Sequence, residues 1–482
     1  MDLKKDRTFE TDKALLPGYS KAQLTSADFI PQDGDSIERI TTLGVQLTNP
    51  YLIPNMQQAY TNLGLSSSLA TITNKYVRFR PTTVDQLATL DSTLDAQGLE
   101  LFDTPVDYVV TYEGDYYQDP AIPDSLPTWQ YAVLPPNFIF PSGITYEILA
   151  QIHIPGDSYT AVETEAERLA SLQDSLNGGN GPSGKSGGIQ PNVASDCDPC
   201  YVWDPITRQC VPQGNCGGNP PPPSPDAAIP AGNIFVHDTN LSRDIGLRKA
   251  RVVAKRWFKI ERVFTDNYGH FIFTKHFKHK VKVIEKFKNS DANIYGIRGL
   301  MIWQMLFPIK RTLGIYDVNK ANIIFINTQN GPVNSKGNRY WAGATTHNAV
   351  QEHRDYSAQF SFSTAPTAMN IYITNWGTFE GSASTPLFHK RFLRDLPSSF
   401  INTFLIGLLV PNFIGIEKLA AVFARVNVDM AIDYHTNLAG FTSDWLKETI
   451  YHEMSHASHY TKVGTGWYTQ FVNAELAEIV AH

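Results

Sequence analysis

Three histidines and one glutamate lie close together near the end of the chain, in the stretch ETIYHEMSHASHY. His452 and His456 are four residues apart, so on a helix both imidazoles project from one side and can reach a single metal ion. Neutral imidazole nitrogen is a common zinc ligand, at about 2.0–2.1 Å. Glu453 directly follows the first histidine, where its carboxylate can take a proton from a zinc-bound water. This H-E-x-x-H pattern favours hydrolytic zinc chemistry with Glu453 as the general base.

The residues around the motif predict an amphipathic helix that begins at Ser443 or Asp444 and ends at Gly464. At about 100° per residue, the histidines lie roughly opposite an apolar face. We expect the following side chains of that face to pack on the core: Leu446, Ile450, Met454 and Ala457. The alternative is a core-packed helix that carries surface histidines without a metal.

A zinc site of this kind needs a third protein ligand, and one candidate is Glu475, nineteen residues after His456. The alternatives are Glu478, which lies one helical turn further, His459, and a residue beyond His482. On a straight helix His459 would lie about 10 Å from the first histidine, too far to share its metal without a bend. The chain ends without a helix-stop residue, which suggests truncation or processing.

Peptide hydrolysis through a zinc-bound water also requires a group that stabilises the developing oxyanion. Four residues are candidates for this role: Tyr434, His435, His347 and His353. Residues of these types are more often structural than catalytic, so we rank the structural interpretation first for each of them.

The overall composition is that of a globular protein of 482 residues, long enough for three or four domains. Hydrophobic residues make up 42% and charged residues 18%, which argues against a disordered chain. The net charge of −7 argues against a nucleic-acid partner. No apolar run is long enough to predict a membrane-spanning helix, and the N-terminal stretch lacks the apolar segment of a signal peptide.

All four cysteines lie within twenty residues, in the stretch CDPCYVWDPITRQCVPQGNC, as Cys197, Cys200, Cys210 and Cys216. A tight, even set between flexible linkers predicts two disulfides that pin a small loop-rich module. A structural zinc site is the alternative, although the C-x5-C half does not have the usual spacing of one. Disulfides imply an oxidising compartment, so we expect an exported protein whose signal peptide is not part of this sequence.

Two linkers, rich in glycine and in proline, flank the cysteine module and divide the chain. We predict a multidomain α+β protein with these parts: an N-terminal α+β domain over 1–175, linkers with the disulfide module over 176–230, a β-sandwich over 231–292 and a C-terminal α+β domain over 293–482. In the last domain, 292–307 and 402–410 are predicted to be helical, and 321–329 and 369–377 to be buried strands.

The N-terminal unit contains clear local signals. Thr83 and Gln86 predict a capping box at the start of a helix, and Gly98 fits the C-cap. Strands are predicted over 76–80 and 99–102 on either side of that helix. This strand–helix–strand unit favours an α+β sandwich.

The predicted β-sandwich is strongly basic, because residues 241–290 hold fourteen Lys and Arg against four Asp and Glu. The alternating stretch KHKVKVIEKFK would place several lysines on one face of a strand. One interpretation is a face docked on the acidic N-terminal unit. A second is attraction to an anionic lipid or polysaccharide surface, and a nucleic-acid partner is the third.

The β-sandwich stretch resembles the carboxypeptidase-regulatory-like sandwich of secreted bacterial proteins. The positions that carry this resemblance are Gly232, Asp238, Gly246, Leu247, Thr265, Asp266, Gly269 and Phe271. More broadly, the chain resembles a group of zincin-like bacterial surface lipoproteins through YWAGATTHNAVQEHRDYS, MNIYITNW and ETIYHEMSHASHY, and in the N-terminal part through YVRFRP and LELFDTPVDY.

This resemblance implies an exported, lipid-anchored protein at the bacterial cell surface, outer membrane or periplasm, with a zincin-like C-terminal domain. The spacing to Glu475 is similar to that of gluzincins, in which a glutamate on a second helix completes the zinc site. The expected function is a zinc metallopeptidase that acts on a protein or peptide substrate. The alternative is a non-catalytic component of a surface or outer-membrane complex that retains the zincin-like fold.

Overall fold

The computed structural model describes residues 39–123, 126–176, 201–204, 209–212, 227–297, 307–318, 322–332, 334–374, 383–384, 428–433 and 442–481. These residues form a mixed α+β structure with several antiparallel sheets, which confirms the predicted class at that level. Several predictions fall outside this part of the chain: the region 402–410, three of the cysteines (Cys197, Cys200 and Cys216), and the candidate residues Tyr434 and His435.

The N-terminal unit is built on a small antiparallel sheet with helices around it. Its elements are β1 (Thr42–Gln46), α1 (Ile53–Asn62), β2 (Asn74–Arg80), α2 (Val84–Ala96), β3 (Tyr108–Tyr112), β4 (Gln130–Leu134), β5 (Thr145–Ile152) and α3 (Thr160–Leu176). Strand β2 lies between β4 and β5, while β1 pairs separately with β3. Buried Met56, Tyr60 and Val162 of α1 and α3 belong to the core of this unit.

The local signals around α2 are largely confirmed. The backbone N–H of Gln86 donates to Thr83 Oγ1 over 3.2 Å, as in a capping box, and Gly98 has a φ of 74° just after the helix. The strand predicted over 99–102 is wrong, because only Phe102 forms a bridge, to Tyr131. The Glu100 side chain is directed into ion pairs with the next part of the chain instead.

Two four-stranded sheets follow a short hairpin. The strands, in chain order, are β6 (Tyr201–Asp204), β7 (Gln209–Pro212), β8 (Ala227–Ala228), β9 (Ala231–Asp238), β10 (Arg243–Gly246), β11 (Arg251–Arg256), β12 (Lys259–Phe264), β13 (His270–Ile272), β14 (Phe277–Lys278), β15 (Lys280–Lys286), β16 (Ala292–Ile297), β17 (Lys310–Asp317) and β18 (Asn322–Asn327). One sheet joins β10, β13 and β18 to β9, and the other has the order β12-β11-β15-β17. Because β17 and β18 complete these sheets, the sheets continue beyond residue 292.

The basic strands of the second sheet lie against the N-terminal unit. Phe258 packs edge-on against Tyr51 and Tyr76, with ring centroids 5.8 and 4.9 Å apart. Carboxylates of the N-terminal unit pair with the basic side chains, as in Arg251–Glu100, Lys286–Glu100, Arg262–Asp95, Lys288–Asp91, Lys282–Glu113 and Arg256–Glu167. Much of the positive charge noted in the sequence is therefore neutralised within the molecule.

The C-terminal part adds a mostly parallel sheet and two long helices. Its further elements are α4 (Lys336–Gln359), β19 (Met369–Thr374), β20 (Ala383–Ser384), β21 (Met430–Asp433) and α5 (Ser443–Ala481). Strand β16 pairs in parallel with β19, so the helix predicted from residue 292 is wrong for its first six residues. A short apolar run that is buried on both faces has no periodicity that separates strand from helix.

One hydrophobic core joins the two four-stranded sheets to α4 and α5. Phe271 and Val283 of the sheets, Trp341 of α4 and Met454 of α5 belong to the same buried cluster. The indole N–H of Trp341 also donates to the carbonyl of His237, which attaches α4 to the end of β9. This core fixes the helix that carries the histidine motif.

Candidate metal centre

The start of α5 is held by the loop between β9 and β10. The Ser443 backbone N–H donates to Thr239 Oγ1 over 2.8 Å, and the Asp444 N–H donates to Asn240 Oδ1 over 2.8 Å. The Trp445 N–H donates to the hydroxyl of Thr442. These bonds satisfy N–H groups that have no partner within the helix, so the helix begins where the sequence predicts.

The predicted apolar face of α5 is confirmed. Leu446, Ile450 and Met454 are fully buried, and Ala457 is 1% exposed. The polar side of α5 is held against α4, because Lys447 pairs with Glu352 of that helix over 3.3 Å. The orientation of the histidine face follows from this packing.

His452 and His456 approach each other on the other side of the helix. Their Nε2 atoms are 3.1 Å apart, and the rings are tilted by 78°. Two nitrogens at about 2.0–2.1 Å from one tetrahedral zinc ion would be roughly 3.3 Å apart, so this pair fits a shared ion. Burial and the neighbouring histidines lower the pKa of His456, which favours the neutral ring that binds metal.

Glu453 is turned into the protein and is only 4% exposed. Its Oε2 atom is buried and has no hydrogen-bond partner among the described residues. Burial raises the pKa of this carboxyl to about 8. A nearby dication would lower that pKa and favour the carboxylate that a general base requires.

Helix α5 is broken at Gly464, as predicted. Gly464 has φ 77° and ψ 172°, values outside the helical region. The chain changes direction at this kink, and the Tyr468 ring centroid lies 5.4 Å from that of Tyr460. On a straight helix these residues would be about 12 Å apart along the axis.

The segment after the kink packs against the last residues of the motif. Tyr468 is 1% exposed, and its pKa is raised to about 12 by burial and then by the charge of Glu453. The Trp467 ring lies 4.9 Å from that of His459. Neither aromatic residue was predicted from the sequence, although the pair directly follows Gly464 and Gly466.

The candidates for the third ligand are only partly described. His459 packs against Trp467 and Tyr468 on the inner side of the turn. Glu475 and Glu478 lie on the helical backbone after the break, and their side chains are outside the described residues. Among the side chains that the structure does describe, no group of three His, Cys, Asp or Glu is arranged to hold a metal.

The candidate oxyanion residues on α4 are buried. The ring of His347 lies against Asn289 and Phe287, and burial lowers its pKa to about 4. His353 is beside Ser357, and burial lowers its pKa to about 4 as well. Such neutral, enclosed rings fit the structural interpretation.

The sequence matches no protein-family model, and it has no match among curated proteins or solved structures. Within the described ranges, no helix is both long enough and apolar enough to cross a membrane.

Proposed function

We propose that the protein is a zinc-dependent metallopeptidase whose metal is held by His452 and His456. The observation that carries this proposal is the 3.1 Å separation of their Nε2 atoms on a helix anchored by its apolar face. That distance fits two ligands of one ion. A tetrahedral site with three protein ligands leaves one position for water.

Each residue of the motif has a distinct role in this proposal. Bound zinc would supply a water of lowered pKa and would polarise a peptide carbonyl. Glu453 accepts a proton from that water and passes it to the leaving amine. Burial of the Glu453 carboxyl supports a basicity above that of an exposed glutamate.

Glu475 is the proposed third ligand. Helix α5 is kinked at Gly464, so the part that carries Glu475 does not continue along the axis of the part that carries the histidines. His459 packs against Trp467 near this kink, which supports a ligand from the second part of α5 instead.

A non-catalytic surface component is the second candidate, and the burial of Glu453 favours it. A general base must reach the zinc-bound water, whereas this carboxyl is 4% exposed and directed inward. In that case the zinc helix would serve as structure, and the protein would act within a surface or outer-membrane complex.

Export to a bacterial surface, with a lipid anchor and a disulfide module, is part of the proposal. It is supported by the four clustered cysteines between linkers. The proposed substrate is a protein or peptide.

A peptidase assay with zinc-loaded protein tests the proposal, using a mixture of unstructured peptides as the substrate. We expect cleavage by the wild-type chain, at least about 100-fold slower cleavage by Glu453→Gln, and unchanged zinc content in that variant. Equal cleavage by both proteins would reject Glu453 as the base. Zinc binding without any cleavage by the wild type would favour the surface component.

A further inference from the structure

A small cavity lies between the N-terminal unit and the basic sheet, away from the histidine motif. Its walls include Phe102 and Thr104 from the N-terminal unit and strands β11, β15 and β17 from the sheet. The volume is about 80 Å³, which is space for roughly five water molecules.

The charged groups that line this cavity are predominantly positive. Six are cationic: Lys255, Lys282, Lys286, Lys310, Arg311 and Lys336. Three are carboxylates: Asp103, Glu113 and Asp115. An excess of cations in a partly enclosed space attracts an anion, since the surrounding protein screens charge less than water does.

Most of the lysines have a carboxylate partner. Lys282 pairs with Glu113 over 2.7 Å, and Lys310 pairs with Asp103. Lys336 lies 3.6 Å from Asp115, and Lys286 pairs with Glu100. These ion pairs account for the acidic side chains on the walls.

Lys255 has no such partner. Its ammonium lies 4.8 Å above the Phe102 ring, and within the described part of the chain it makes no ion pair or hydrogen bond. It also stands directly opposite Lys282 across β11 and β15. Like charges in cross-strand positions repel each other, and Glu113 pairs directly with Lys282, which leaves Lys255 without a direct partner for its charge.

We propose that this cavity binds a small oxyanion, a phosphate or carboxylate group, with Lys255 as its principal ligand. An anion here would neutralise the Lys255–Lys282 repulsion and give the Lys255 ammonium charge-assisted hydrogen bonds. It would also join the N-terminal unit to the basic sheet, because both line the cavity.

The electrostatic surroundings of Lys255 agree with this assignment. Burial lowers its pKa to about 7, and the nearby ammonium groups of Lys282 and Lys310 lower it further, while Glu113 and Asp103 raise it. A bound anion favours the protonated amine. Binding of acetate, whose charge is constant between these values, is therefore expected to be tighter at pH 6 than at pH 8.

Thermal unfolding of the full chain with inorganic phosphate tests the proposal, with sodium chloride at matched ionic strength as the reference. For the wild type we expect a saturable rise in Tm beyond the chloride reference, since a ligand of the folded state stabilises it. Lys255→Met is expected to weaken phosphate binding at least about ten-fold. Lys280→Met, which changes an exposed lysine on β15, is the matched control and is expected to retain binding.

Lys255→Arg keeps the positive charge and is expected to retain much of the phosphate binding. This variant therefore separates a loss of anion binding from a loss of folding.

Acetate in place of phosphate distinguishes the two kinds of anionic group. A rise in Tm with acetate that depends on Lys255 indicates a carboxylate ligand, and a rise in Tm with phosphate alone indicates a phosphate. A wild-type Tm that rises no more with either anion than with chloride would overturn the proposal. So would equal shifts in wild type and Lys255→Met.

Discussion

His452 Nε2 and His456 Nε2 lie 3.1 Å apart on one side of α5, with no carboxylate between them. Two neutral imidazoles at this distance can share one proton, or they can bind one cation. The apolar face of the helix is fully buried in the core, so the pair is positioned by packing that does not depend on a metal. Such preorganisation is what a zinc site on a rigid helix requires.

The turn at Gly464 should depend on glycine. Its φ of 77° lies in the left-handed region, whereas Gly466 has no such φ, and an added Cβ would meet no atom within 4 Å at either position. We expect Gly464→Ala to lower the free energy of unfolding by about 1 kcal/mol. Gly466→Ala, in a helix, should raise it by about 0.5–1 kcal/mol. Urea unfolding measures both, and equal effects would contradict the proposed turn.

Docking of the N-terminal unit should depend on Glu100. Its carboxylate is 2% exposed and pairs with Arg251 at 3.2 Å and Lys286 at 2.5 Å. Glu100→Gln leaves Lys286 without its counter-charge and leaves Arg251 with Asp95 alone, so we expect a loss of about 3–5 kcal/mol in unfolding free energy. Glu147→Gln, which breaks the half-exposed pair with Arg78, is the control and should cost less than about 1 kcal/mol. A loss for Glu100→Gln no larger than the control would refute the role of this contact.

Acid should weaken the same interface. Burial alone would raise the pKa of Glu100 and of Asp103. The charges of Lys286 and Arg251 nevertheless lower the pKa of Glu100 below its usual value, and the charge of Lys310 does the same for Asp103. Unfolded carboxyls have pKa values of about 3.9–4.3. These ion pairs therefore contribute their full stabilisation of the folded protein at pH values above that range. The contribution is lost as the pH falls through the lower pKa values that the two carboxyls have in the folded protein.

Urea midpoints measured between pH 7 and pH 3 test this dependence. We expect the midpoint to fall below about pH 4 in the wild type and to fall less steeply in Glu100→Gln. A midpoint that does not change down to pH 3 would show that these ion pairs contribute little.

Local signals in the sequence predicted the helices more reliably than the contacts between distant parts. The α5 face, its start near Ser443 and its break at Gly464 all follow from residues within a few turns of one another. The capping box at Thr83 has the same origin. Strand β16 was mistaken for helix because its identity is decided by pairing with β19, far along the chain.

The surroundings of the motif were harder to predict for the same reason. The motif places Glu453 beside the metal but does not show that it is buried, because burial depends on the packing of elements that are distant along the chain. The docking of basic strands on the acidic N-terminal unit was one of three interpretations of the charge pattern. Pairs such as Lys282–Glu113 join residues 169 positions apart, and composition alone does not identify them.

Glu453→Leu should separate the structural cost of this carboxyl from its chemical role. The buried Oε2 has no hydrogen-bond partner in the described structure, so a leucine there removes an unfavourable burial. In metal-free protein at pH 8 we expect an unfolding free energy equal to or higher than that of the wild type, measured by urea unfolding. A loss of more than about 2 kcal/mol would mean that this carboxyl makes a stabilising contact after all.

Zinc stoichiometry by mass spectrometry, on wild type, Glu453→Gln and His456→Ala, is the most direct test of the central claim. Our account predicts one zinc per chain in the wild type and in the Gln variant, and none in the Ala variant. If the wild type takes up no zinc after metal is added back, or if His456→Ala retains the wild-type amount, then the two histidines are not the ligands of a zinc ion.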